Sequence, residues 1–140
     1  LDIPVFIIKA PTMEEIEDYL SKLPPQQSDL AYAVVHWLVE SEELNPRLRY
    51  GIPFFYRKSW VCYINPQKSG ELELAFLRAV EFRHLPEILD FKGRKMVAGI
   101  LLDKPADLKN PELEIALQEA LWLDDNQPYK GPPGRKKQSL

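Results

Sequence analysis

A chain of 140 residues, 45% hydrophobic and 28% charged, has the size and composition of one ordinary domain, so a real core is available without disulfides or metals. It holds no apolar run of the roughly 18 to 20 residues that span a bilayer, and its single cysteine, Cys62, excludes an intrachain disulfide. A membrane partner is therefore not expected, and a reducing, cytoplasmic setting is. The net charge of −3 hides an asymmetry: residues 1–45 carry nine acids and two bases, residues 46–128 balance, and the end from Tyr129 is purely basic. The acidic half argues against a sequence-specific nucleic-acid partner, and the basic end supports no more than non-specific attraction.

In chain order, Thr12 and Glu15 form a capping box for a first helix, with Ile16, Tyr19, Leu20 and Leu23 as its apolar stripe. Pro24 and Pro25 end that helix and open a second, expected to run to about Glu43 with Leu30, Val34, Trp37 and Leu38 on its core face. The period then shortens to two. Leu48, Tyr50, Ile52, Phe54 and Tyr56 alternate as one strand, which Gly51 and Pro53 mark as irregular, either an edge or a strand with a bulge near that point. Trp60 to Ile64 is the next strand, and after the turn signal 65–70 comes a third. There Leu72, Leu74 and Phe76 face the core while Glu71, Glu73 and Ala75 face water.

A short helix from Pro86 to Asp90 and a buried strand over Met96 to Leu102 follow. Asn110 caps a final helix with Pro111 at its first position. The expected fold is α+β: a mainly antiparallel sheet of about four or five strands with the N- and C-terminal helices on one face. Residues 1–126 form the domain, and residues 127–140 a basic, Pro- and Gly-containing tail.

These segments resemble, in order, the YdhG-like superfamily, a domain family of unknown function. Leu23-Pro24-Pro25, Tyr50-Gly51-Ile52-Pro53-Phe54, Trp60-Val61-Cys62-Tyr63-Ile64, Leu74-Ala75-Phe76-Leu77-Arg78, Gly93-Arg94-Lys95-Met96 and Glu119-Ala120-Leu121 carry the resemblance over about residues 13–123. The family's glycine after the Phe-x-Arg segment is replaced here by Ala79. The resemblance implies a distantly frataxin-like sandwich with the order α-α-β-β-β-(α)-β-α. Some relatives are described as intracellular iron chaperones.

No motif names a chemistry. His36, Cys62 and His84 lack zinc-ligand spacing, and Ser28, Ser41, Ser59 and Ser69 lie outside any nucleophile elbow. A metal carrier would use hard carboxylates such as Glu14, Glu17 and Asp18, which share one helical face. The same acids also suit the positive end of a helix. A ligand site is expected where cations meet aromatics, at Arg49, Tyr50, Trp60, Tyr63, Arg78, Arg94 and Lys95. Guanidinium groups pair bidentately with anions and aromatic walls exclude water.

The leading expectation is a non-enzymatic domain binding a small anionic molecule or a protein partner. An iron chaperone and an enzyme without a readable motif are the alternatives. A homodimer would form through the edge strand carrying Phe54, Phe55 and Tyr56.

Overall fold

Helix α1 spans residues 13–21 in the computed structural model, which describes residues 13–130. Thr12, the proposed cap, and most of the basic tail lie outside the described residues. Helix α2 (Pro25–His36) opens with proline at its first position, where the missing N–H costs nothing. It buries Leu30, Ala31, Val34 and Val35. The α-helix ends earlier than its apolar pattern suggests. Residues Trp37–Ser41 widen into a π turn, which still seats Leu38 in the core. Glu43 then adopts φ 59°, and the Leu44 N–H donates to the Leu38 carbonyl at 3.0 Å to close the helix.

The sequence between Arg47 and Tyr56 is two strands rather than one. Tyr50 and Gly51 take φ values of 53° and 78°, two consecutive left-handed residues that reverse the chain in two positions. Strand β1 (Asn45–Arg49) therefore pairs antiparallel with β2 (Ile52–Tyr56), with Arg49 opposite Ile52 at the turn. The turn exchanges the parity of the faces, so Leu48 lies on the side of Pro53 and Phe55 while Phe54 lies on the side of Arg47, and the apparent alternation from Leu48 to Tyr56 mixes two faces. Strand β3 (Trp60–Pro66), β4 (Leu72–Phe76) and β5 (Ala98–Leu102) complete a five-stranded antiparallel sheet in the order β1-β2-β3-β4-β5. Strand β2 lies inside the sheet, and β1 and β5 are its edges, so Phe54, Phe55 and Tyr56 cannot pair across a dimer edge as expected. The β2–β3 register begins at Phe54 and leaves out Pro53, which has no N–H to donate.

Pairing sorts the sheet into two faces. One row crosses all five strands as Pro46, Phe55, Cys62, Phe76 and Ala98, and with Ile64, Leu72, Leu74, Ile100 and Leu102 it forms the core face. All three helices bury their apolar residues against it, including Ile16 and Leu20 of α1 and Leu113, Ala116 and Leu117 of α3. The expected α+β architecture, with its helices on one face, is what the chain adopts.

The connection 77–97 contains a 3-10 turn at Ala79–Glu81 and a single hydrogen-bonded turn at Pro86, where a short helix was expected. A second 3-10 helix, Pro105–Lys109, leads into α3 (Pro111–Asn126). The Asn110 side chain accepts from the Glu112 N–H, as its position before proline predicts. Three polar clasps join distant elements. Gln27 donates to the carbonyls of Gln67 and Glu71 and holds the β3–β4 turn onto α2. Asp124 accepts from the Lys58 N–H at 2.7 Å and from the Ser59 hydroxyl, tying α3 to the β2–β3 turn. Glu119 takes both the Arg83 N–H and its guanidinium, which also stacks 3.7 Å from the Trp122 ring.

Among the described residues no helix is long and apolar enough to cross a membrane. Gln127 and Tyr129 pack back onto the domain: the Arg78 guanidinium donates to the Gln127 carbonyl at 2.7 Å, and the Tyr129 N–H donates to the Ser59 hydroxyl.

Two outcomes test this account. Gly51→Ala puts a β-carbon at φ 78° and should cost about 1–2 kcal/mol in urea unfolding, because an L side chain clashes in the left-handed region. Burial opposes ionisation of Glu119, but the bonds and charge supplied by Arg83 outweigh it and hold the carboxyl below its ordinary value of 4.5. The stability it contributes is thus present above pH 4.5 and lost as pH falls toward the lowered folded-state value. Arg83→Met should remove that part of the acid dependence in a series of unfolding curves from pH 6 to 3.

Candidate functional site

The second face of the sheet carries the functional candidates. Its central row runs Arg47, Phe54, Tyr63, Ala75 and Gly99 across the five strands. Trp60 joins this face through a bulge. Phe55 pairs with Cys62 while Tyr56 pairs with Trp60, so β3 holds one extra residue, Val61. The insertion sends Val61 into the core and turns Trp60 outward, where it meets Phe54 at 5.8 Å and Tyr56 at 5.3 Å.

Phe54 is the hub. It is buried although it lies on the face opposite the helices, because Tyr50 covers it edge-on, Tyr63 stacks on it at 4.8 Å and Trp60 closes the third side. Arg49 lies over this cluster with its guanidinium carbon 4.4 Å from the Trp60 ring centre, 5.0 Å from Phe54 and 5.1 Å from Tyr50. Such contacts hold the cation in place without neutralising it. Its one side-chain hydrogen bond among the described residues is a long one, 3.4 Å to the Tyr50 hydroxyl, and it forms no ion pair there.

Beside the aromatics sits a buried charge cluster. Glu73 was expected to face water, yet it is 1% exposed and its neighbour Ala75 is fully buried. The reason is the turn after β4. Lys92 and Gly93 adopt φ values of 54° and 79°, folding the connection so that Arg94 reaches Glu73 at 2.6 Å and Lys92 at 3.8 Å. Gly99 makes room on β5, since a β-carbon there would meet Glu73 Cγ at 2.7 Å and Cδ at 2.8 Å. The bond to Glu73 strengthens the charged form of Arg94 and raises its pKa. Arg94 also donates to the Tyr63 hydroxyl at 3.3 Å, and burial, ahead of the neighbouring charges, raises the Tyr63 pKa. A chain of contacts thus runs from Glu73 through Arg94, Tyr63 and Phe54 to Arg49.

Of the seven residues expected at a ligand site, Arg49, Tyr50, Trp60, Tyr63 and Arg94 come together here. Arg78 does not. It pairs through two bonds with Glu81 and stacks on Tyr129, close to the C-terminal end of α3. Lys95 is exposed in the connection beyond Arg94.

The sequence reading missed Phe54 as the hub and Glu73 as a buried acid. Glycine inside a strand, as at Gly99, is the one local sign that something approaches the backbone closely. On the acidic helix, Glu14, Glu17 and Asp18 are exposed and Asp18 pairs with Lys22 at 3.0 Å, a surface bond of about 0–1 kcal/mol. Glu17 does share a shallow groove with His36 and Glu40. Among the described residues, however, no three His, Cys, Asp or Glu side chains are grouped to hold a metal ion. Cys62 is fully buried, which pushes its thiol pKa up and keeps it from acting as a thiolate.

Comparison of the chain with family models, with curated proteins and with solved structures finds no significant match.

Gly99→Ala tests the packing of the charge cluster. It should cost about 1–3 kcal/mol in chemical unfolding, because the added methyl displaces Glu73 from beneath Arg94. An unchanged midpoint would show that Glu73 moves aside at no cost.

Proposed function

We propose that this chain is a non-enzymatic binding domain of the YdhG-like type, and that Arg49 on its aromatic platform anchors an anionic group of a small molecule or partner. The order of two helices, a meander and a closing helix supports the family reading. The function rests on one observation: a guanidinium held by three rings over an open sheet face, with no carboxylate beside it among the described residues. A stacked arginine is rigid and incompletely hydrated, so its remaining N–H groups are ready for a carboxylate or phosphate.

Tyr50 supports the same reading. It holds φ 53°, a region that costs an ordinary side chain about 1–2 kcal/mol, and its side chain remains 83% exposed. Asparagine or glycine would turn the hairpin with less strain. Turn geometry therefore does not account for a tyrosine at this position; its ring covers Phe54 and holds Arg49, and its exposed side is open to a ligand over that cation.

Titration with acetate and with inorganic phosphate, followed by the backbone amide of Tyr50 and the indole N–H of Trp60, should show saturable shifts. Arg49→Ala should abolish them and Arg49→Lys should weaken them. Tyr50→Asn, which keeps the turn geometry and removes the ring, should lower affinity. Equal shifts in wild type and Arg49→Ala would end the proposal.

A further inference from the structure

The platform has more than one aromatic ring and more than one cation to offer. Tyr50 and Tyr56 are 83% and 38% exposed, and Trp60 and Tyr63 are half-buried, so rings on the β1–β2 turn, β2 and β3 all reach the surface of the same face. Arg47, exposed, stands two residues before Arg49 on β1 and therefore on the same side. Four acids of the first third of the chain lie elsewhere. Glu14, Glu15, Glu17 and Asp18 belong to α1, which packs on the opposite face of the sheet. Glu73, the acid beside the aromatics on this face, is paired with Arg94 and Lys92.

Resting on the reading of Arg49 as an anion anchor, we propose that this face binds single-stranded nucleic acid without sequence preference. Bases stack on Tyr50, Tyr56 and Trp60, and phosphates lie along Arg47 and Arg49. An open sheet with stacking rings and a flanking row of cations matches the two features of such a ligand that do not depend on sequence, its π faces and its regular charge. An acidic peptide would use the cations and leave the exposed tyrosine rings without a planar partner. The Arg49 guanidinium carbon lies 4.4 Å from the Trp60 ring centre, so cation and rings act on one ligand.

The test is fluorescence anisotropy of a labelled ten-nucleotide oligouridylate with the full chain at low salt. Saturable binding is expected, with log K falling against log salt at a slope of about −1.4 for two phosphate contacts. Tyr56→Ala should weaken it by about fivefold or more, and Arg47→Ala should weaken it and reduce the slope. The thermal midpoint of each variant checks that it is folded.

Binding that survives both substitutions in folded protein would place the strand on the basic C-terminal residues instead and overturn the proposal. Uridine monophosphate binding as tightly as the decamer would overturn it in favour of a free nucleotide. Oligoglutamate displacing the decamer at equal concentration would overturn it in favour of an acidic protein partner. If the decamer does not bind but acetate or phosphate still shifts Tyr50 and Trp60, the strand proposal fails and the anion site stands. If neither binds, both fail.

Discussion

Strand β4 is buried along its whole length, on both of its faces, and much of the molecule follows from that. Leu72, Leu74 and Phe76 press on the helices, which any amphipathic strand would do. The other side of the same strand carries Glu73, and a carboxylate in that position is tolerable only with partners, because an unpaired buried charge costs several kcal/mol. The connection 77–97 supplies them. It turns at Lys92 and Gly93 and brings Arg94 down on Glu73, and Gly99 leaves the space in which the pair sits. One buried acid thereby explains a left-handed lysine, an interior strand glycine and an arginine that is not available to a ligand.

The same arrangement prepares the neighbouring surface. Arg94 steadies the Tyr63 hydroxyl, Tyr63 stacks on Phe54, and Phe54 forms the floor under Arg49. The two arginines on this face have opposite fates for a physical reason. Arg94 is paired with a carboxylate at 2.6 Å, while Arg49 is held by the faces of rings, which orient a cation and leave it without a counter-ion among the described residues. A platform of this kind is rigid before anything binds, which lowers the ordering cost of recognition. The strained, exposed Tyr50 at its rim completes it from the turn.

Much of the scaffold was legible from local chemistry. Asn110 followed by Pro111 marks the start of α3 because asparagine suits the cap and proline the first helical position, and Pro25 marks the start of α2 in the same way. The alternation of Leu72, Leu74 and Phe76 set the core face of β4. The hairpin at Tyr50 and Gly51 was hidden because the apolar residues at 48, 52, 54 and 56 look like one alternation although the turn moves Leu48 to the opposite face from Phe54, and tyrosine is not a residue that announces φ above zero. Of the site itself, the residue types were readable, since arginine beside aromatics is a local pattern, but their grouping was not.

What the sequence determined by itself is the starts of α2 and α3, the core side of β4 and the absence of any metal or nucleophile motif, all of which depend on neighbours within a few positions. Tertiary structure alone decided which side Trp60 occupies, since a single bulge at Val61 reverses it. It also decided that Glu73 and Arg94, 21 positions apart, would consume each other's charge while Arg49 kept its own. Charge and aromatic character are written residue by residue. Which cation is left over after folding depends on distances across strands, and those exist only once the sheet has formed.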